Sequence, residues 1–267
     1  MRSDIGSGRV VSIVKRAMRY LTADEIKTAH RDEAHEILGE CVGKSIRDRF
    51  AIEVFNRYHD RFFSDRSRTR ILDLGIASGA FLVEIAKDGY RDFTACDIDN
   101  YAKPEAQVLL REFRVLDFSW EKLPWPDASF DIVTAWCVLP HLENPFFAAR
   151  EVGRVLRPGG LFIFTTPFLT SKPSMDYFVE HGDFKSYRVT NNHIVLFPRG
   201  VVQKTIISFF ELVGTEYHAR LWKIFRGPRG FLRRILYRIA GLFPGGEGTL
   251  QKRWAYNIVY ILRRPQT

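Results

Sequence analysis

Short apolar runs alternate with helical stripes through the middle of this 267-residue chain. Ile71-Leu72-Asp73-Leu74 has the length and character of a buried parallel strand. Gly75-Ile76-Ala77-Ser78-Gly79 follows as a glycine-bearing turn, and Phe81, Leu82, Ile85 and Ala86 then recur at helical spacing. Strand, tight turn and helix form the first unit of a nucleotide-binding α/β sheet. Glycine in such a turn permits backbone angles closed to other residues and lets the main chain approach a ligand.

The alternation continues. Residues 92–99 read as a second strand ending in acids, and Phe113 to Phe118 as a third. Phe130 to Trp136 is the fourth, and Asn144-Pro145 caps a helix from Phe146 to Leu156. Arg157-Pro158-Gly159-Gly160 ends that helix, and Leu161 to Thr166 is the fifth strand. Further on, residues 201–213 read as a helix that Gly214 ends, Thr215 to Trp222 as strand six, and Trp254 to Leu262 as a β-rich last strand. Upstream, residues 22–63 read as two helices. Thr22-Ala23-Asp24-Glu25 has the form of a capping box, and Ile46, Phe50, Val54, Tyr58 and Phe62 make one apolar stripe. His30, His35 and His59 lie among charges and are expected at the solvated surface.

Composition narrows the class. Hydrophobic content of 46% and charged content of 27% suit one globular α/β domain with additions. Cys41, Cys96 and Cys137 show no metal or redox spacing, so buried, inert thiols in a reducing compartment are expected. No uncharged run approaches the roughly 20 residues of a membrane span, and Lys15, Arg16 and Arg19 interrupt the early apolar face. A cytoplasmic protein is the expectation.

The net charge of +9 is unevenly placed. Residues 1–216 hold 29 Lys and Arg against 30 acids, whereas residues 217–267 hold 11 against Glu247 alone. Within that basic part, Phe231, Leu232, Ile235, Leu236, Ile239 and Phe243 make an apolar stripe with Arg233, Arg234 and Arg238 off it. Such a helix either packs on its own domain with a solvated charged face or makes peripheral contact with an anionic membrane surface. No nucleic-acid reader motif accompanies it, so nucleic acid is disfavoured as a partner.

The turn itself is G-x-A-x-G, with Asp73 two residues before it. An acid there is a poor neighbour for pyrophosphate and a good one for a cation. Asp97 lies 22 residues after Gly75, where nucleotide-binding folds place a carboxylate for ribose hydroxyls. The turn resembles motif I of the class I S-adenosylmethionine (SAM) methyltransferases, usually D-x-G-x-G-x-G, with Ala77 in place of the middle glycine. Residues 123–167, LPWPDASFDIVTAWCVLPHLENPFFAAREVGRVLRPGGLFIFTTP, resemble the family pattern L-P-F-x-D-x-S-F-D-x-V…H-L…E-x-x-R-V-L-K-P-G-G. Trp125 stands for the usual Phe and Arg157 for the usual Lys.

The resemblance implies an α/β, Rossmann-like class I methyltransferase fold with a seven-stranded, mostly parallel sheet in the order 3-2-1-4-5-7-6. Residues 1–69 would be an N-terminal helical extension and residues 70–267 the SAM-dependent domain, with residues 223–252 a basic insertion before the last strand. SAM is the implied cofactor. Asp73, Gly75, Ala77 and Gly79 would form its turn, Asp97 and Ile98 would meet the ribose end, and Asp117 the adenine amino group. Phe118 would lie on the adenine ring, and Trp136 would complete the lining.

SAM presents an activated methyl, so the enzyme mainly aligns a nucleophile, and a base is needed only where that nucleophile must lose a proton. His141 follows strand four near the switch point and is either that base or a loop-orienting residue. His181, Asp183 and Tyr187 are further candidates on a loop that the sequence does not place. Residues 176–190 bear a slight similarity to a segment in methyltransferases of bacterial polysaccharide pathways. A small-molecule, glycan or lipid-linked acceptor, methylated on oxygen, is therefore expected. Methylation of protein or RNA, and a non-catalytic SAM-binding module, are the alternatives.

Overall fold

In β1 (Arg70–Leu74) successive side chains point to opposite faces of the sheet, and both faces are covered. Ile71 enters one core, and Leu72 and Leu74 enter the other. The computed structural model describes residues 49–188, 193–219 and 246–266. Beside β1 lie β2 (Asp92–Asp97), β3 (Leu110–Val115), β4 (Phe130–Ala135), β5 (Leu156–Pro167), β6 (Glu211–His218) and β7 (Asn257–Arg263). They form one sheet in the order β3-β2-β1-β4-β5-β7-β6, as expected. The first five strands pair in parallel, and β7 runs antiparallel to β5 and β6.

The helices are α1 (Phe50–Phe62), α2 (Ala80–Lys87), α3 (Pro104–Gln107), α4 (Pro145–Val155), α5 (Lys172–His181), α6 (Arg199–Thr205) and α7 (Gly246–Trp254). On one face, Ile52 and Phe55 of α1 and Leu82 and Ile85 of α2 share a core with Ile71, Phe93 and Ile132. On the other, Val152 of α4 and Val202 of α6 pack with Leu72, Val133 and Phe162. Each such side chain, fully buried, stabilises the fold by roughly 1.5–3 kcal/mol. Asn144 caps α4 through a 3.1 Å bond from Phe147 N–H, and Pro145 opens the helix.

The stretch that most resembles the methyltransferase pattern is fastened by charge. Arg154 on α4 donates to Leu123 O and Trp125 O, each at 2.8 Å, and to the Glu151 carboxylate at 2.7 Å. Glu151 in turn accepts Leu123 N–H at 3.0 Å. At the amino edge of the sheet, buried Asp131 accepts Arg70 N–H at 2.8 Å and the Arg157 guanidinium. The E-x-x-R and R-P-G-G elements therefore clip the loop before β4 and the start of β5 to the sheet, away from the glycine turn.

Several sequence expectations are corrected. The helix expected over residues 201–213 ends at Thr205, a short 3-10 turn covers Ile207–Phe209, and β6 starts at Glu211 rather than Thr215. Gly214 is a strand residue at a register shift. A Cβ there would meet the Tyr58 hydroxyl from α1, so the glycine serves close packing and not a helix stop. Trp254 closes α7, and β7 begins at Asn257. β3 spans Leu110–Val115, which leaves Asp117 and Phe118 in the turn after it.

His59 is buried, not solvated. Its Nε2 and Nδ1 lie 2.9 Å from Thr69 Oγ1 and Asp60 Oδ1, and the rings of Phe63 and Tyr90 flank it. Burial lowers its pKa below the ordinary imidazole value. The capping box at Thr22, Ile46, His30, His35, Cys41 and the 231–243 stripe lie outside the described residues.

Candidate active site

The glycine turn sits beyond the carboxyl end of β1. Gly75, Ala77 and Gly79 all have left-handed φ, at +68°, +50° and +74°. Ala77 is a non-glycine residue in that region, a strain of order 1–2 kcal/mol that other contacts must hold. Gly75 N–H donates to Cys96 O on β2 at 2.8 Å. Asp97, the last residue of β2, binds the turn more directly: its Oδ2 accepts Ala77 N–H at 2.8 Å and its Oδ1 accepts Ile98 N–H at 2.7 Å. A Cβ on Gly75 would lie 2.5 Å from Val138 Cγ2, so this glycine is needed for its own angle and for the loop after β4.

Two carboxylates are desolvated behind this turn. Burial pushes Asp73 up to about 7, opposed by the 2.6 Å hydrogen bond from Thr134 Oγ1 on β4 and reinforced by the charge of Asp97. Burial likewise pushes Asp97 up to about 6, against the stabilising N–H groups of Ala77 and Ile98. Among the described residues neither acid has a cationic partner in an ion pair. Such a pair is electrostatically incomplete, and a cation at the turn would lower both pKa values. Trp136, after β4, packs on Phe81 with ring centroids 5.0 Å apart. Its buried Nε1 has no hydrogen-bond partner among the described residues. A ligand with positive charge and an acceptor for an indole N–H fits this donor set, and SAM carries a sulfonium, an ammonium and a carboxylate.

Asp117 is half-buried after β3, and its Oδ1 accepts Ser119 N–H at 3.0 Å. Phe118 is buried in the core with Leu116 and Leu123. Asp117 thus shapes a turn at the carboxyl edge, with Phe118 packed beneath it.

His141 ends a 3-10 turn (Leu139–His141) after β4, and its ring lies 4.4 Å from that of His193. The two segments are tied by Ile194 N–H and Val195 N–H, which donate to Pro140 O at 2.8 and 3.1 Å. Tyr187 joins the cluster, with its ring 5.3 Å from His193 and its hydroxyl donating to Val195 O at 3.0 Å. His193 Nδ1 lies 2.6 Å from Ser186 O. A carbonyl only accepts, so Nδ1 carries the proton and Nε2 the lone pair. Burial lowers the His193 pKa and raises that of Tyr187.

No spacing in the sequence connects residue 141 with residue 193, so His193 could not be singled out; the link is a carbonyl bond formed only in the fold. Of the other loop candidates, His181 stacks on Tyr177 at 4.0 Å and Asp183 accepts Phe184 N–H at 2.7 Å. Neither has a contact with the His141 cluster among those described. Cys137, with φ +59°, accepts the Thr165 hydroxyl at its sulfur, and Cys96 is fully buried. No group of three or more metal-ligating side chains occurs among the described residues, and no helix there is long and apolar enough to cross a membrane.

Sheet order, glycine turn and strand-end acids together define the class I SAM-dependent methyltransferases. Residues 72–164 match the family model described as a methyltransferase domain, and the likeness to that family rests on this stretch. SAM is the cofactor the family implies. A sarcosine/dimethylglycine N-methyltransferase of Aphanothece halophytica is 29% identical over 126 residues, covering 45% of this chain and 46% of that one. The uncharacterized methyltransferase YcgJ of Bacillus subtilis (strain 168) is 30% identical over 120 residues, covering 43% and 47%. The chain thus spans about half the length of the curated relatives it matches. Among solved structures, a chain from the complex of the Haloferax volcanii Trm112 methyltransferase activator with a methyltransferase aligns with a TM-score of 0.59. That alignment has 18% identity and covers 89% of this chain and 98% of the other, a likeness of fold.

Proposed function

We propose that this protein is a methyltransferase that moves the methyl group of SAM to an oxygen of a small-molecule, glycan or lipid-linked acceptor. The observation that carries the reading is the desolvated pair Asp73 and Asp97 behind a left-handed turn, whose ionised forms a cationic ligand would stabilise. In this reading Asp97 and Ile98 take the ribose end, and the turn from Gly75 to Gly79 with Asp73 takes the amino-acid end. Asp117 and Phe118 bound the adenine, and Trp136 supplies an indole N–H. When bound, SAM supplies a methyl on a sulfonium, already activated for in-line displacement.

Oxygen as nucleophile is favoured by the imidazole cluster. A hydroxyl must lose its proton, and His141 stands beyond β4 with the ring of His193 4.4 Å from its own. His141 is assigned as the base and His193 as the residue that positions it. An amine acceptor, as named for the Aphanothece relative, would need no base after its own deprotonation. The alternatives are a protein or RNA acceptor and a SAM-binding module without catalysis.

The test is transfer of labelled methyl from SAM into fractions of the source cell. Label in a small-molecule, glycan or lipid fraction that boron tribromide releases, as it does from a methyl ether and not from a methylamine, supports the reading. Label in protein or RNA overturns the acceptor class, and SAM binding without any transfer overturns catalysis.

A further inference from the structure

Three strand ends lie level at the carboxyl edge of the sheet. Asn257, the first residue of β7, pairs with Pro167 at the end of β5 and with His218 at the end of β6. The chain therefore leaves β5 at residue 168, leaves β6 at residue 219 and enters β7 from residue 256, all on the side that holds the glycine turn and His141. Both segments carry features that the methyl-transfer site does not use.

The first segment exposes apolar side chains. α5 buries no residue, and its Met175, Phe178 and Val179, at i, i+3 and i+4, share one side of the helix. Val179 is 82% exposed, and Phe178 stacks on Phe184 with centroids 4.8 Å apart. Ile194 and Leu196, half-exposed on the strand-like run tied to Pro140, lie beyond the same edge.

The second segment is basic. Residues 219–256 contain nine Lys and Arg against Glu247 alone. Its described end, α7, packs against both α5 and β6, and exposes Lys252 and Arg253. Among the described residues, exposed Lys252 and Arg253 of α7 and the exposed apolar side chains of α5 thus lie on one edge.

We infer that this edge docks on an anionic lipid surface and that the acceptor is taken from that surface. The second clause rests on the methyl-transfer reading; the docking itself does not. An anionic bilayer attracts basic residues to its headgroups and takes Phe, Met and Val side chains at the acyl boundary, and this edge offers both at once. A nucleic acid or an acidic protein would use the charge and leave α5's apolar side in water. Docking in this orientation presents the mouth of the site to lipid-linked substrates.

Sedimentation of the full chain with vesicles tests it. The chain should pellet with vesicles of phosphatidylglycerol and phosphatidylcholine at low salt, and little with phosphatidylcholine alone. Raised salt should weaken the binding, because the charges stay near water. Phe178→Ser/Val179→Ser and Lys252→Glu/Arg253→Glu should each cut the partition about tenfold or more. Val108→Ser, an exposed apolar change on the loop ahead of β3, should leave it unaltered. SAM binding, followed by calorimetry on the same samples, should be unaffected by all three, which separates failure to dock from failure of the cofactor site. A chain that stays in the supernatant with anionic vesicles at low salt overturns the inference. So does binding that α5 substitution leaves intact, which would assign the charge to a different polyanion.

Discussion

Ala77 and Asp97 are joined by a 2.8 Å hydrogen bond in which a carboxylate at the end of β2 receives an amide from the turn after β1. The bond holds a non-glycine residue at φ +50°, where the family pattern has glycine. One side chain therefore serves two ends: it fixes the turn, and in the proposed site it meets the ribose. Asp97→Ala should lose on both. It leaves a buried amide unsatisfied, a cost of roughly 1–3 kcal/mol of stability by urea denaturation. It should also weaken SAM binding by about 1.5–3 kcal/mol in a calorimetric titration of the folded variant. Full affinity in a destabilised variant would confine Asp97 to the structural role.

Gly75 and Val138 should behave as one unit. Gly75→Ala places a Cβ against Val138 Cγ2 and forces a left-handed angle. Together these should cost about 2–4 kcal/mol. Val138→Ala removes the crowding and leaves the angle. The double variant should therefore recover about 1–2 kcal/mol relative to the sum of the single changes. Strict additivity in a denaturation cycle would show that the glycine is needed for its backbone angle alone.

The elements that could be read from the chain are those in which cause and effect lie close in sequence. β1, its turn and α2 sit within residues 70–87, and period-2 and period-3.6 patterns decide them. The E-x-x-R and R-P-G-G segments could be recognised, but not their role: Arg154 grips two carbonyls some thirty positions away, at Leu123 and Trp125. The role of Gly214 is hidden for the same reason, since the group that requires it is Tyr58 on α1. His59 has charged neighbours in sequence, yet Phe63, Tyr90 and Thr69 close over it in space. The partner of His141 lies some fifty residues downstream and meets it through a main-chain bond to Pro140.

The two buried acids make the protein without SAM sensitive to alkali. Asp73 at about 7 and Asp97 at about 6 both lie above the unfolded value of about 3.9. The folded state thus holds these protons more tightly, and their contribution to stability is complete below about pH 4 and lost as pH rises through 6 to 7. Asp73→Asn keeps an acceptor for Thr134 and removes the charge. It should therefore be more stable than the parent at pH 8, by on the order of 2 kcal/mol, with a smaller difference at pH 5. Saturating SAM should narrow the gap at pH 8, because a cationic ligand stabilises the ionised acid. Thermal melts at the two pH values decide it, and an equal offset at both would mean that Asp73 is not the titrating group.

Arg154→Met should uncouple stability from the cofactor. It leaves Leu123 O and Trp125 O without this donor and the Glu151 carboxylate without its cation, all at least partly buried. A loss of roughly 2–4 kcal/mol in urea is expected. SAM affinity at low temperature should be retained, since α4 and the loop before β4 do not form the glycine turn. A variant destabilised by less than about 1 kcal/mol would show that the clip is redundant.

His141 and His193 give the assignment of oxygen as nucleophile its sharpest test. If His141 accepts the proton, His141→Ala should lower kcat by about 100-fold or more on the acceptor that takes up label, with SAM affinity kept. The parent should then lose activity as pH falls through the imidazole range, and the variant should show no such limb. His193→Leu is the more telling change. Its Nδ1 is committed to Ser186 O, so Nε2 is the basic nitrogen of a ring that stands 4.4 Å from that of His141. In the assigned role this imidazole stabilises a proton arriving on His141, and leucine removes the imidazole while keeping bulk. The acid limb should move to lower pH and kcat should fall, with less effect on KM. A structural role would lower stability and leave the position of the limb unmoved. An unmoved limb in a folded His193→Leu protein would return the ring pair to packing and leave the acceptor's proton to another group.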